Sequence, residues 1–362
     1  MKFKQKLMKG LRAAVSFALV ATAVFCVARR LPEVFGERDT VLAAAAFTLT
    51  DGKYPVESGA APEQTTHIQE TTTAPSSVAA SAPSEAEKKR DKSGYYDTNA
   101  DHSGEAKYDI AEKHIGGDGT AVSGAYVKNR TGLDIDFESV LNTPLTFQIK
   151  KNADAPQVLI YHTHTGESYL DESADYFYES YYSRTNNNDF NVVAVGDAMT
   201  EVLEQNGIKT LHDKTVHDSS YNGSYDRSAQ TVEDDMAKNP QIKVVLDIHR
   251  DALGTEECKV KPVFEYNGKK AAQIMILAGC DPDNERGFSH WQNNLSFALK
   301  LQTTAESLYP GMTRPVSFDY FAYNEYICDG SLLIEIGTDA NSVDEAETAG
   351  RLLADVLARV LS

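Results

Sequence analysis

Three short apolar runs each end in residues that do acid–base or metal chemistry. The first is Tyr161-His162-Thr163-His164-Thr165-Gly166-Glu167, the second Asp247-Ile248-His249-Arg250-Asp251, and the third Ile334-Glu335-Ile336-Gly337. His164 and Glu167 have the H-x-x-E spacing that lets both side chains reach one ion in a turn leaving a strand. His249, from a distant run, then completes a set of two histidines and one glutamate, a common catalytic zinc set that leaves a coordination position open. Glu335 is left over for proton transfer, which such a site needs if water is to attack near neutral pH. A carboxylate inside an apolar strand is costly unless a cation or a proton compensates it. Arg250 has two readings, stabiliser of a developing oxyanion or ion-pair partner of Asp247 or Asp251. His162 is the alternative to His164 as ligand, and Asp247 and Asp251 are the alternatives to Glu335 as base.

The elements that must position these groups follow from hydrophobic spacing. Residues 158–161, 208–211, 244–248 and 332–336 are short apolar runs suited to buried strands. Residues 192–206, 225–238, 291–308 and 344–361 have helical character. Gly207 suits the end of the first helix, and Ser342 with Glu345 makes a capping box for the last. Asn267-Gly268 between residues 259–266 and 272–278 is a hairpin signal. Strands alternating with helices predict an α/β fold, a mostly parallel sheet with helices on both faces. In such sheets sites form at the carboxyl ends of strands, where the three ionisable groups fall.

Other features carry less chemistry. His212 and His217 sit in a polar loop after a strand and are expected to be solvated. Tyr176, Tyr178, Tyr181 and Tyr182, followed by Asn186 to Asn188, form an aromatic segment suited either to stacking on sugars or to covering the edge of the core. Cys258 and Cys280 bracket the hairpin; a five-residue loop would bring them opposite each other, whereas a tight Asn-Gly turn would misalign them. Four cysteines in 362 residues are too few for a disulfide scaffold.

The N-terminal third differs in composition. The chain carries 35 basic and 53 acidic residues, a net charge of −18. Seven of the basic residues and none of the acidic ones lie in the first thirty positions, so residues 31–362 stand at −25. That balance argues against binding to nucleic-acid phosphates, which calls for a basic face. Residues 13–28 are uncharged and would span about 24 Å as a helix, against a bilayer core of about 30 Å. Basic residues before this run and Arg29-Arg30 after it place the N-terminus inside the cell. A cleaved signal peptide and a retained anchor are the two readings; arginines where small residues should precede a cleavage site favour the anchor. Residues 59–84 are mostly Ala, Thr, Ser, Pro and Glu, too polar to offset their chain entropy. The expected organisation is a leader and anchor over 1–30, a tether over 31–121 and a catalytic domain over 122–362.

The strings LIYHTHTGESY (159–169), YNGSYDRSAQTV (221–232), LDIHRDA (246–252) and LLIEIGTDANS (332–342), after YVKNRTGLDIDFESVLNTPL (126–145), closely resemble the stage II sporulation protein P family. The resemblance covers roughly two-thirds of the chain. It implies a zinc-dependent N-acetylmuramoyl-L-alanine amidase acting on septal peptidoglycan during engulfment of the forespore, with endopeptidase action on cross-links also ascribed to the family. It also implies a single-pass protein on the mother-cell side of the septum, with the sporulation protein D glycan hydrolase and the membrane protein M as partners. Related wall amidases take their glutamate ligand from the start of the helix after the first strand. Here that place reads Asn188-Asp189-Phe190-Asn191, so either Glu167 or Asp189 supplies the carboxylate.

Overall fold

The computed structural model describes residues 90–362. The expected anchor and most of the expected tether lie outside them. Among the described residues, no helix is long and apolar enough to cross a membrane.

Twelve strands and five helices make up this part, with one 3-10 turn at Glu325–Ile327. In chain order they are β1 (Lys107–Lys113), β2 (Thr120–Val122), β3 (Ala125–Asn129), α1 (Phe137–Asn142), β4 (Val158–Tyr161), β5 (Tyr176–Tyr178) and α2 (Val192–Gln205). Then follow β6 (Thr210–His212), α3 (Ser224–Lys238), β7 (Val244–Asp251), β8 (Cys258–Tyr266), β9 (Lys269–Ala272), β10 (Ile274–Gly279), α4 (Trp291–Leu308), β11 (Val316–Asp319), β12 (Ser331–Thr338) and α5 (Val343–Val360). Eight strands form the main sheet in the order β2-β3-β11-β10-β12-β7-β4-β6, and β5-β1-β8-β9 form a smaller one.

The main sheet is mixed, which corrects the expected mostly parallel arrangement. β6, β4, β7 and β12 run parallel, but β10 is antiparallel to β12, and β11 and β3 follow the direction of β10. The cause lies in the Asn267-Gly268 turn. Both residues have positive φ, 52° and 75°, as a tight hairpin requires. The turn pairs Tyr266 with Lys269 and sends the chain straight back. Gln273 then passes it from the small sheet to the large one, with its side chain bonded to Ile115 and to the Gly311 carbonyl. No crossover helix intervenes, so β10 enters the sheet reversed. The same register leaves Cys258 and Cys280 as free thiols.

The pleat sorts side chains between the two faces. Val158 and Ile160 of β4, Leu246 and Ile248 of β7, and Leu332, Ile334 and Ile336 of β12 pack in the main core with residues of α2, α4 and α5. Leu159, Tyr161 and Val245 face the other way, against Val232 and Met236 of α3. Helices thus cover both faces, as expected. The capping box at Ser342 and Glu345 is formed, and Gly207 (φ 74°) follows the end of α2.

Packing begins well before residue 122, so the tether boundary drawn at 121 falls inside the fold. Arg90 pairs with Asp344 and Glu347 on α5. Tyr95 stacks on Phe190 with ring centroids 4.4 Å apart, and β1 pairs with both β5 and β8. The sequence of β1, KYDIAEK, offers one fully buried apolar residue, Ile110, and so resembles a polar linker.

Candidate metal centre

The strand ends of β4, β7 and β12 converge on the α3 side of the main sheet. In the β7–β12 ladder Asp247 lies opposite Leu333 and His249 opposite Glu335. Side chains paired in a parallel ladder share a face, so His249 and Glu335 stand side by side. After β4 the chain turns sharply, with Glu167 N–H donating to the His164 carbonyl at 3.0 Å. That turn folds Glu167 back beneath His164.

His164, Glu167 and His249 are all buried, and one potential ligand atom from each lies within 4.8 Å of the others. His164 Nδ1 is 3.3 Å from Glu167 Oε1, and His249 Nδ1 is 3.3 Å from Glu167 Oε2. The outward nitrogens are held from behind. His164 Nε2 meets Ser224 Oγ at 3.1 Å. Asp247 Oδ1 is 2.8 Å from His249 Nε2, close enough for an ion pair but without a hydrogen bond's alignment. Asp247 is itself fixed by Thr163, whose N–H and Oγ1 donate to its two oxygens at 2.8 and 2.6 Å. A carboxylate behind a ligating histidine is the usual support of a zinc ligand.

The electrostatics agree with that reading. Burial alone would raise the carboxyl pKa of Glu167, but His164 and His249 hold it well below the ordinary range. Burial would likewise lower His249, yet Asp247 and Glu167 hold it well above its ordinary value. Burial would raise Asp247, and the charge on His249 keeps it low. Without metal the pocket therefore holds two ionised carboxylates, Glu167 and Asp247, with the charged His249 between them, and a bound cation would take the place of that imidazole proton. Glu335 behaves oppositely: burial, and then repulsion from Asp251, push it up to about 8. Its Oε2 is buried without a hydrogen-bond partner. Two histidines, a glutamate, a carboxylate behind one histidine and an unpaired carboxyl alongside form a donor set that fits zinc.

Other predicted residues fall elsewhere. Arg250 projects from the opposite face of β7. Its backbone N–H donates to Glu167 Oε2 at 3.2 Å, while its guanidinium donates to the carbonyls of Ser168 and Ser183. Neither Asp247 nor Asp251 is its partner; Asp251 pairs with Arg314 at 2.9 Å. Arg250 thus ties the turn that carries Glu167 to the loop that carries Arg184. His162 points away from the cluster. Its Nδ1 bonds the Ile248 carbonyl at 2.8 Å and its Nε2 meets His212 Nε2 at 2.9 Å. Asp189, half-buried before α2, is not among the converging groups.

The expectation that His212 and His217 are solvated is corrected. The His212 side chain is buried and reaches Asp197 Oδ1 at 2.9 Å. His217 is buried between the His162 carbonyl and Thr231 Oγ1. His212 ends β6 opposite Ile160 of β4, and His217 lies in the loop that follows, beneath the strand-end turn. The tyrosine segment also serves the fold for the most part: Tyr176 to Tyr178 form β5, and the buried Tyr181 donates to the Asp339 carbonyl. Tyr182 alone of these is largely exposed.

Sequence reasoning had no specific role for Asp247 as a support. Its signal is the D-x-H spacing, which in a strand puts both side chains on one face. Tyr221, stacked on His164 at 4.7 Å, and Tyr225, stacked on His249 at 6.5 Å, were likewise missed. Nothing local reveals that the start of α3 folds over the strand ends.

Comparison with known proteins agrees with the motif-level resemblance. A protein of Bacillus subtilis (strain 168), "Stage II sporulation protein P", is 30% identical over 219 residues, covering 57% of this chain and 51% of its own length. The chain thus spans about half the length of this curated relative. Among solved structures, an N-acetylmuramoyl-L-alanine amidase from Clostridium difficile 630 shares 16% identity, with coverage of 58% of this chain and 96% of that one and a TM-score of 0.34. An N-acetylmuramyl-L-alanine amidase from Mycobacterium smegmatis shares 14%, with coverage of 59% and 97% and a TM-score of 0.33. The family model for stage II sporulation protein P (SpoIIP) matches residues 45–358, most of the chain. The chain belongs to the stage II sporulation protein P family.

Proposed function

We propose that the chain is a zinc-dependent peptidoglycan hydrolase of the sporulation septum, cleaving the amide between muramic acid and L-alanine. One observation carries the reading: His164, Glu167 and His249 bring ligand atoms within 4.8 Å of one another, with Glu335 in register beside His249. His164 Nδ1, His249 Nδ1 and the Glu167 carboxylate would hold the ion. When bound, zinc supplies a Lewis acid for the amide carbonyl and makes water a usable nucleophile near neutral pH. Glu335 accepts the proton of the attacking water at its unpaired Oε2 and returns it to the leaving nitrogen. Asp247 and Ser224 hold the two imidazoles in place so that Nδ1 of each faces inward. Arg250 fixes the turn that presents Glu167.

The uncharged run 13–28 between basic flanks adds a membrane anchor, and the family resemblance adds partnership with the sporulation protein D glycan hydrolase and protein M. A cut in the peptide cross-link uses the same groups with a different register of substrate. Digestion of intact sacculi by the zinc-loaded full chain separates these readings. Peptide-free glycan with stem peptides beginning in L-alanine is the expected product. Disaccharide–peptide monomers would instead make it an endopeptidase, and binding without release would make it a scaffold that recruits the glycan hydrolase.

A further inference from the structure

An aromatic row leads from the metal centre to the surface. Tyr225 stacks on His249, Tyr323 lies 5.6 Å from Tyr225, and Phe321 lies 5.5 Å from Tyr323, centroid to centroid. The outer end is in solvent: Phe321 is 52% exposed and its neighbour Tyr320 41%. Exposed apolar rings in a cluster call for an explanation, where single ones do not.

The backbone beneath these rings is tied down. Gly279 ends β10 so close to the loop that a Cβ there would sit 1.8 Å from the Phe321 carbonyl, so only glycine admits this path. Arg286 donates to the Tyr320 carbonyl at 2.7 Å, and the Tyr320 hydroxyl donates to the Thr131 carbonyl at 2.8 Å. Asn324, buried, donates to Ser228 Oγ on α3 at 2.9 Å. Tyr323 is held at φ 40°, a conformation that non-glycine residues seldom adopt and that persists only where the surroundings enforce it. A loop anchored at this many points presents its rings in a fixed array.

The charge around the array selects its occupant. The Tyr320 phenol is raised by burial and then by Cys280, Asp283 and Asp319, so two carboxylates lie near this end of the array. Those carboxylates disfavour an acidic peptide. They do not disfavour a neutral sugar ring, and its face of C–H groups complements the negative face of an aromatic ring. We propose that Phe321 and Tyr323 form a subsite for neutral amino-sugar rings of the glycan strand, leading the strand toward the metal centre. This rests on the peptidoglycan reading above.

The test measures binding to the full-length chain with metal removed, using as the glycan probe uncharged oligomers of N-acetylglucosamine and, separately, isolated stem peptide. Phe321→Ala should weaken glycan binding about three- to tenfold and leave stem-peptide binding unchanged. Phe321→Trp should bind as the parent does, and Phe321→Leu, which keeps apolar area but no ring, should lose nearly as much as alanine. Because the ring is half in solvent, all three should unfold at the parent's temperature. Unchanged glycan affinity in Phe321→Ala, equal losses for glycan and peptide, or Trp failing as alanine does would each overturn the subsite. Failure of the amidase reading shows separately, as a parent protein that binds glycan through Phe321 yet releases no peptide from sacculi.

Discussion

Two buried histidine pairs lie on either side of one short turn, and they differ in what they leave open. In the first, His164 and His249 turn Nδ1 toward a shared carboxylate, Glu167, and leave a buried carboxyl oxygen of Glu335 without a partner. In the second, His162 and His212 turn toward each other, and their remaining nitrogens reach the Ile248 carbonyl and Asp197. The second pair is complete as it stands. Burial and the neighbouring His212 hold the His162 pKa down to about 3, so it stays neutral and acts as part of the core. Gly196 makes room for it: a Cβ there would lie 2.4 Å from His212 Nε2. The first pair faces two ionised carboxylates, which without metal are balanced by the proton on His249. Residue type alone does not separate the two pairs; the buried carboxylates on both sides of His249 do.

The largest expected difference between the pairs is in zinc content. His249→Ala or His164→Ala leaves two of three ligands, so zinc should be lost on dialysis. His162→Ala should keep stoichiometric zinc, although it loses stability through the cavity and the broken His212 contact. Metal analysis of the three purified variants checks this, and zinc lost from His162→Ala but kept in His164→Ala would exchange the roles of the two pairs. Next in size is Glu335→Gln, which keeps volume but cannot take up a proton. It should fold and bind zinc while amide cleavage falls about 10²- to 10⁴-fold. Near-normal cleavage with normal zinc would pass the base role to Asp247 or Asp251. Asp247→Asn keeps an oxygen near His249 but removes the charge, and should weaken zinc binding about 10- to 100-fold, as read by competition with a chelator.

How far this arrangement was legible follows from where periodicity holds. His249 and Glu335 sit within apolar strands, where a period of two fixes their faces, and their pairing could be anticipated from strand order. His162 and His164 sit just past the end of β4, where the pleat gives way to a turn, and no spacing rule says which one faces the cluster. The reversal of β10 depended on a two-residue turn whose strength was readable, but its consequence for the sheet was not. That consequence came from Gln273, a single polar residue passing the chain between two sheets. β1 resembles a tether in sequence because a strand in a small, half-exposed sheet needs few apolar residues. The buried state of His212 and His217 depended on tertiary closure over a polar segment.

Proton linkage distinguishes the pairs more finely. In metal-free protein Glu335 has a raised pKa of about 8, so between about pH 4.5 and 8 the folded state holds a proton that the unfolded state has released. Stability then falls as pH rises through that window and levels off above it. Metal-free Glu335→Gln should remove this slope, a difference of at most a few kcal/mol across the window. Denaturant midpoints at pH 5 and pH 8 measure it, and parallel slopes in parent and variant would show that Glu335 is already compensated without metal.

The smallest effect is expected at the completed pair. The Ile248 carbonyl can only accept, so His162 Nδ1 carries the hydrogen there, and neutral His162 can only accept at Nε2. His212 Nε2 must then donate to His162, and its Nδ1 lies 2.9 Å from Asp197 Oδ1. Burial would raise the carboxyl of Asp197, but its bond to His212, with that to Lys214, holds it down to about 2. A depressed carboxylate stabilises the fold above its unfolded value, near pH 4, and the contribution is lost as pH falls toward 2. Asp197 is nearly half exposed, so solvent screens the pair and Asp197→Asn should cost only about 1 kcal/mol at pH 7. That cost should shrink toward zero on acidification, with zinc content and cleavage unchanged. A variant that also lost zinc would join the two clusters into one network, and the separation drawn between them would fail.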